Sequence, residues 1–354
     1  MERACADATS VVELCRSVQA AIAPVVPADR WCGFAVDPAT LFATNGYHEE
    51  GVDMALLPRL LELEYGTVDV AHVPALARTS AGVVTLSDAT GGDLASSARW
   101  RDVLEPSGVA HELRAVFRDA RHVWGALVLM RGSDVRDFTA ADVDLVRRIA
   151  PTVATGFRRM LVRQHLDYGD DAREAGIVVL AGEPPGVRTA TPAGRTWLEH
   201  LDDGATGDHL PTPVLSAARA AQAGGGPAAV RARTRSGRWV TITAERTEGA
   251  PGGEIGVVVQ PSRPAEIARI VGAAHGLTGR ETDVVLLVAS GHTNAEIARA
   301  LGMSRYTVAD HLKSVFAKLE VVTRGELTSK LFHDHYLRRG GEDSVGIDSW
   351  FLPA

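Results

Sequence analysis

Three threonines near the end of this 354-residue chain each stand three positions before a glutamate: Thr278 and Glu281, Thr293 and Glu296, Thr323 and Glu326. At that spacing the threonine hydroxyl accepts from one orphan backbone N–H at a helix start, and the glutamate carboxylate accepts from another. Ser304 adds a fourth N-cap residue. The spacing therefore predicts helices beginning near 279, 294, 305 and 324. Gly291 stops the first, and Gly302 supplies the tight turn between the second and third. Two helices joined by so short a glycine turn make a helix-turn-helix.

The third of these helices, within "SRYTVADHLKSVFAKL", has two distinct sides at about 100° per residue. Val308, Leu312, Val315, Phe316 and Leu319 gather on one, which must pack on neighbouring helices. Tyr306, Ala309, Asp310, Lys313 and Ala317 fall on the other. Small and polar groups there allow a helix to enter the DNA major groove without a steric wall, although a solvated face has the same composition.

Upstream the pattern changes twice. Residues up to about 166 hold a helical run from Ser10 to Val26 and strand-like runs "WCGFAVD", "GVVTLSD", "ELRAVFRD" and "HVWGALVLMRG". A long closing helix follows, opened by Thr139 and Asp142 and interrupted by Pro151. Pro151 is expected to kink or break it. Residues 170–261 read as strand, helix "TPAGRTWLEHL", helix "LPTPVLSAARAAQ", a hairpin across Ser236-Gly237, and a last strand "EIGVVVQ". Both sections are α+β. Helical spacing from Ile267 to Val271 marks a linker helix, and the tail from residue 339 is read as a frayed end.

Lysine usage excludes several chemistries. All three lysines, Lys313, Lys318 and Lys330, lie in the last fifth of the chain. A Walker phosphate loop, a phosphoacceptor receiver domain and a lysine Schiff base each need a lysine that the first 312 residues lack. Cys5, Cys15 and Cys32 form neither a disulfide framework nor a C-x-x-C pair, and read as small packed hydrophobes. Paired carboxylates such as Glu62 and Glu64 diverge on a helix, as do His333 and His335, so neither general acid–base catalysis nor a metal site is expected. No G-x-S-x-G or G-x-G-x-x-G motif occurs. There is no run long enough to span a membrane and no secretory leader, so a cytoplasmic, non-enzymatic protein without cofactor is expected.

The C-terminal pattern strongly resembles the LuxR-type helix-turn-helix domain of bacterial transcription regulators. The resemblance is carried by Leu277, Thr278, Arg280, Glu281, Gly291, Asn294, Glu296, Ile297, Ala298, Leu301, Ser304, Thr307, Val308, His311, Leu312, Lys318, Leu319, Arg324 and Glu326. It implies that Arg305–Leu319 is the recognition helix, with Arg305, Tyr306, Thr307, Ala309, Asp310 and Lys313 facing DNA. Thr293, Asn294, Glu296, Ile297, Gly302, Ser304, Val308 and Leu312 would hold the motif together. Lys313 keeps a donor for guanine or phosphate, whereas Ala309 stands where relatives commonly have lysine. Asp310 could accept from a cytosine amino group or orient Arg305 or Lys313. Residues 277–340 carry nine basic and seven acidic side chains against a net charge of −7 for the chain, which disfavours nonspecific polyanion binding. A single small module makes few phosphate contacts, so a homodimer on a repeated operator is expected, with Leu327, Leu331 and Phe332 as candidate dimer contacts.

Residues 10–166 resemble a GAF sensor domain and 170–261 a PAS-like domain, joined by a linker helix at 262–276 to the DNA-binding domain at 277–338, with a tail at 339–354. The layout is similar to that of a group of actinobacterial regulators. It implies a one-component transcription regulator controlled by a small-molecule effector or a partner, with RNA polymerase a further candidate partner. The ligand is not identified. Trp31, Phe34, Tyr47, Trp100, His111 and Trp124 are candidates for lining its pocket, although such aromatics more often belong to a core. Two other readings stand beside this one: a scaffold or antagonist that binds another regulator without binding DNA, and, less favoured, an enzyme of unrecognised type.

Overall fold

The computed structural model describes residues 1–8, 10–49, 52–66, 69–163, 174–183, 185–201, 210–224, 226–248 and 253–335. The chain divides into two compact units, the first holding both α+β sections and the second holding the helices that follow Ser262.

The first section opens with α1 (Glu2–Asp7) and α2 (Val11–Ile22). Ser10 caps α2 by accepting from Glu13 N, and Leu14, Cys15, Val18 and Ile22 form its buried stripe. There follow β1 (Arg30–Val36), β2 (Ala43–Glu49), α3 (Leu57–Tyr65), α4 (Val73–Leu76), β3 (Val83–Thr85), α5 (Leu86–Thr90), β4 (His111–Arg118), β5 (Val123–Arg131) and α6 (Ala140–Arg163). The five strands form one sheet in the order β2-β1-β5-β4-β3. Thr139 and Asp142 bond reciprocally at the start of α6, as their spacing predicts. Pro151 lies inside α6 without ending it. Two close approaches seat α2 and α6 on this sheet. A Cβ at Gly125 would stand 2.7 Å from the Phe157 ring, and one at Gly33 would stand 2.9 Å from Cys15 Sγ. Phe117 stacks on the same Phe157 at 5.8 Å.

The second section repeats the plan with β6 (Gly176–Ala181), β7 (Gly186–Ala190), α7 (Pro192–His200), α8 (Thr212–Gly224), β8 (Ala228–Arg233), β9 (Trp239–Arg246) and β10 (Ile255–Pro261). Its order, β7-β6-β10-β9-β8, is the order of the first sheet counted in its own strands. Helix α8 has no solvated side. Val214, Ala217, Ala218 and Ala221 pack on the second sheet, while Leu215 meets Leu57 and Leu61 of α3. Its one charged side chain, Arg219, is also buried and bonds Glu183 and Gln222. The two sections are also pinned by Asp37, whose Oδ2 accepts from Arg231 N at 3.1 Å and Nε at 2.8 Å.

The second unit comprises α9 (Pro264–Ala274), α10 (Gly279–Ala289), α11 (Asn294–Leu301), α12 (Arg305–Leu319) and α13 (Arg324–His335). The last four begin where the capping residues predict. Thr278 and Thr293 complete reciprocal boxes with Glu281 and Glu296. At α13 the box is shifted by one: Thr323 accepts from Glu326 N, but the Glu326 carboxylate accepts from Val322 N instead of Thr323 N. Glycine at position 272 lets α9 lie against α10, since a Cβ there would sit 2.5 Å from Thr282 Oγ1. The α+β class expected of both front sections, and the all-α class of the last, are those observed.

Candidate nucleic-acid interface

The candidate interface is built from α11, a turn and α12. Helix α11 ends at Gly302, whose φ of 64° lies in the left-handed region that glycine adopts without a Cβ penalty. The backbone reverses there, and Met303 N bonds Ala298 O at 2.9 Å. Ser304 then caps α12 by accepting from Thr307 N at 3.1 Å. The reversal sets α12 across α10 and α11, where Val308, Leu312, Val315 and Leu319 enter a core with Ile297, Val284 and Val288. Leu327 belongs to that core and is fully buried. This corrects its reading as a dimer contact, because α13 turns Leu327 inward to close the domain. The side chains of Leu331 and Phe332 lie outside the described residues.

The opposite side of α12 is open. Arg305, Tyr306, Thr307, Ala309, Asp310, Lys313 and Ala317 are all exposed, Tyr306 at 86%. Among the described residues no hydrogen bond or ion pair joins Asp310 to Arg305 or Lys313, so all three heads are presented outward. Of the local hydroxyls, Thr307 Oγ1 is committed to Ser304 Oγ at 2.9 Å. The face therefore offers two cations, one carboxylate, one phenol and two alanines that admit a close approach. A major groove can accept that set.

What fixes the angle of this face is a side chain whose spacing announces only a cap. Glu281 is 4% exposed. Its Oε2 accepts from Thr278 N at 2.6 Å, and its Oε1 accepts from Ser314 Oγ at 2.6 Å. Lys318 Nζ donates to both oxygens, at 2.8 and 2.6 Å. Burial opposes ionisation, yet the Lys318 and Ser314 hydrogen bonds and the Thr278 N–H overcome it, holding the carboxyl at about 2. One carboxylate thus caps α10 and anchors the middle and end of α12. Arg324 makes the corresponding tie from α13, bonding Asn294 Oδ1 at 3.3 Å and the His292 carbonyl. The role of Asn294 is to receive that arginine at the start of α11. Neither tie has a signal in local spacing, since the partners stand 30 or more positions apart.

Elsewhere the predicted chemistry divides. Phe34 packs beside Trp100 around Leu104, Val128 and Met130. Trp31 is buried, and Trp124 is fully buried with its Nε1 donating to Asp119 Oδ2 at 2.9 Å. His111 stands 3.5 Å from Asp137. The side chains of Tyr47, His333 and His335 lie outside the described residues. All three cysteines are free thiols, and burial pushes Cys32 up to about 12. Glu64, read as half of a carboxylate pair, instead turns inward to bond Arg114 at 2.8 Å. No cluster of metal-ligating side chains and no helix fit to cross a membrane occurs among the described residues.

Residues 275–331 match the family model of bacterial regulatory proteins, luxR family. The C-terminal domain is a LuxR-type helix-turn-helix. It is similar to the Monoamine regulon transcriptional regulator of Klebsiella aerogenes, 48% identical over 54 residues, which are 15% of this chain and 24% of that protein. It is also similar to the HTH-type transcriptional activator RamA of Corynebacterium glutamicum, 48% identical over 50 residues, covering 14% and 18%. The match thus spans about a quarter or less of these relatives' length. Among solved structures, the cyanobacteriochrome TePixJ GAF domain aligns with 44% of this chain and 94% of its own, at 15% identity and a TM-score of 0.33. Escherichia coli SdiA aligns over 93% of each chain at 13% identity and a TM-score of 0.35. At such scores these structural likenesses carry no further weight.

Proposed function

We propose that this chain is a sequence-specific transcription regulator that binds double-stranded DNA through the open side of α12. The single observation that carries this reading is a LuxR-type domain whose third helix is anchored by Glu281 on one side and fully exposed on the other. Relatives sharing the domain are named as transcriptional regulators and activators, which supports the same role here. Arg305, Tyr306, Thr307, Ala309, Asp310 and Lys313 are the proposed DNA-facing residues. Lys318 is engaged with Glu281 and is assigned to the fold. The protein acts as a homodimer in the cytoplasm, on two half-sites, because two cationic heads per helix supply few phosphate contacts. RNA polymerase is its further partner. The front sections form the sensing part, organised as domains 10–166 and 170–261, with 262–276 as the connection to 277–338.

Selecting bound fragments from random duplex DNA with the full-length protein tests this directly. Enrichment of a two-fold repeated sequence supports regulator and dimer together. Recovery of unrelated fragments, with no enriched sequence at moderate ionic strength, would sink the proposal.

A further inference from the structure

Most acidic side chains of the C-terminal helices hold the fold together. Glu281 anchors α12, Glu296 and Glu326 accept from backbone N–H groups at the starts of α11 and α13, and Asp283 pairs with Arg269 at 3.2 Å. Asp310 does none of this. It lies well over one turn beyond Ser304, the cap of α12, too far along to serve that helix start. It is exposed, and among the described residues it makes no hydrogen bond or ion pair. It shares the open side of α12 with Tyr306, Ala309, Lys313 and Ala317. A carboxylate with no structural partner is costly on a surface that approaches a polyanion, because every phosphate repels it.

We propose that Asp310 fixes one base of each operator half-site as cytosine, by accepting a hydrogen bond from its N4 amino group in the major groove. This rests on the DNA-binding function proposed above. A carboxylate only accepts, so it needs a donor. Major-groove edges present two, cytosine N4 and adenine N6. Adenine N6 sits between two acceptors, its own N7 and the O4 of the paired thymine. Cytosine N4 has one such neighbour, the O6 of its guanine, and a C–H on the other flank. The negative head is therefore repelled less at cytosine. Reach agrees with this placement. The aspartate arm is short, so its oxygens meet a base only where the helix backbone lies deep in the groove. Ala309 and Ala317, on the same side, present nothing that keeps the backbone out. Arg305 and Lys313, which do not pair with Asp310, stay available to phosphates and offset the charge it brings. Asp310 thus lowers affinity for duplexes in general and raises the distinction between them.

Selection from random duplex DNA with full-length wild type and full-length Asp310→Ala tests the assignment. The position is exposed and alanine favours a helix, so the variant is expected to fold. Wild type is expected to enrich a sequence with one fixed cytosine in each half-site, and the variant to lose that preference alone. The selected duplex is then made with 2-pyrimidinone, which lacks only the 4-amino group, in place of that cytosine in one half-site. Wild-type binding is expected to weaken roughly 5- to 150-fold. Binding of the variant is expected to change less than about twofold. The inference is overturned if the variant selects the same bases as wild type, if the position it relaxes is not cytosine, or if pyrimidinone affects both proteins alike. Any of these results beside an enriched wild-type sequence removes this inference alone. Wild type that enriches no sequence removes the regulator reading and this inference with it.

Discussion

Replacing Glu281 by glutamine keeps a cap of nearly the same shape and removes the charge that holds Lys318. The magnitude follows from the site. A carboxyl held at about 2 against its ordinary 4.5 corresponds to at most ~3.5 kcal/mol. The Lys318 side chain is one-third exposed, so water screens part of that attraction, and a glutamine there still accepts from Thr278 N through its carbonyl oxygen while its amide N–H donates to Ser314 Oγ. The expected loss is therefore about 1–2 kcal/mol, or roughly a 5- to 30-fold rise in local opening. Amide hydrogen exchange of the full-length protein, read on peptides from α10 and α12, measures it near neutral pH. The pH dependence has a definite sign. Because the folded carboxyl titrates below the unfolded one, its stabilisation is complete above about pH 5 and is lost as pH falls from 4.5 through 2. Wild type and variant are expected to differ near neutrality and to converge at acid pH. Equal exchange at neutral pH, or a gap that persists in acid, would refute the anchoring role.

Lys313→Ala is expected to weaken binding to a selected duplex and to lower the salt slope by about one, if the ammonium meets a phosphate; titrations at several ionic strengths read both quantities. Glu281→Gln, by contrast, weakens binding through helix placement and leaves that slope unchanged. Gly302→Val forces a β-branched residue to a φ of 64° and is expected to cost about 2 kcal/mol, seen as faster exchange in α11 and α12. Asp37→Ala strips Arg231 of a buried partner and is expected to destabilise the first unit by about 2–3 kcal/mol, measured as a lower denaturant midpoint than wild type.

The C-terminal helices were legible because capping is local: a hydroxyl and a carboxylate three positions apart report a helix start without any knowledge of the fold. The exposed side of α12 was legible for the same reason, through 3.6-residue periodicity. Two strands escaped. β2, "ATNGYHE", and β7, "GVRTA", lie at sheet edges, each paired on one side only, and have little of the alternation a half-buried strand shows. They occupy matching places in two sheets of identical order, a likeness the sequence carries in no detectable repeat. Leu327 could not be placed because one apolar residue on a helix fits an inner or an outer face equally well. The Glu281–Lys318 tie and the Glu64–Arg114 pair both join residues far apart in the chain, and side-chain pairing at that range leaves no mark in spacing.

The central claim is that the exposed side of α12 meets the edges of base pairs. Ala309→Trp puts an indole on that side and touches none of the core formed by Val308, Leu312, Val315 and Leu319. The decisive measurement is competition binding of wild type and this variant to the selected duplex, with α12 exchange protection recorded for both. The account requires the preference for that duplex over scrambled competitor to vanish in the variant while protection of α12 is unchanged. Undiminished preference in a variant with intact α12 would show that the helix reads no base through this face.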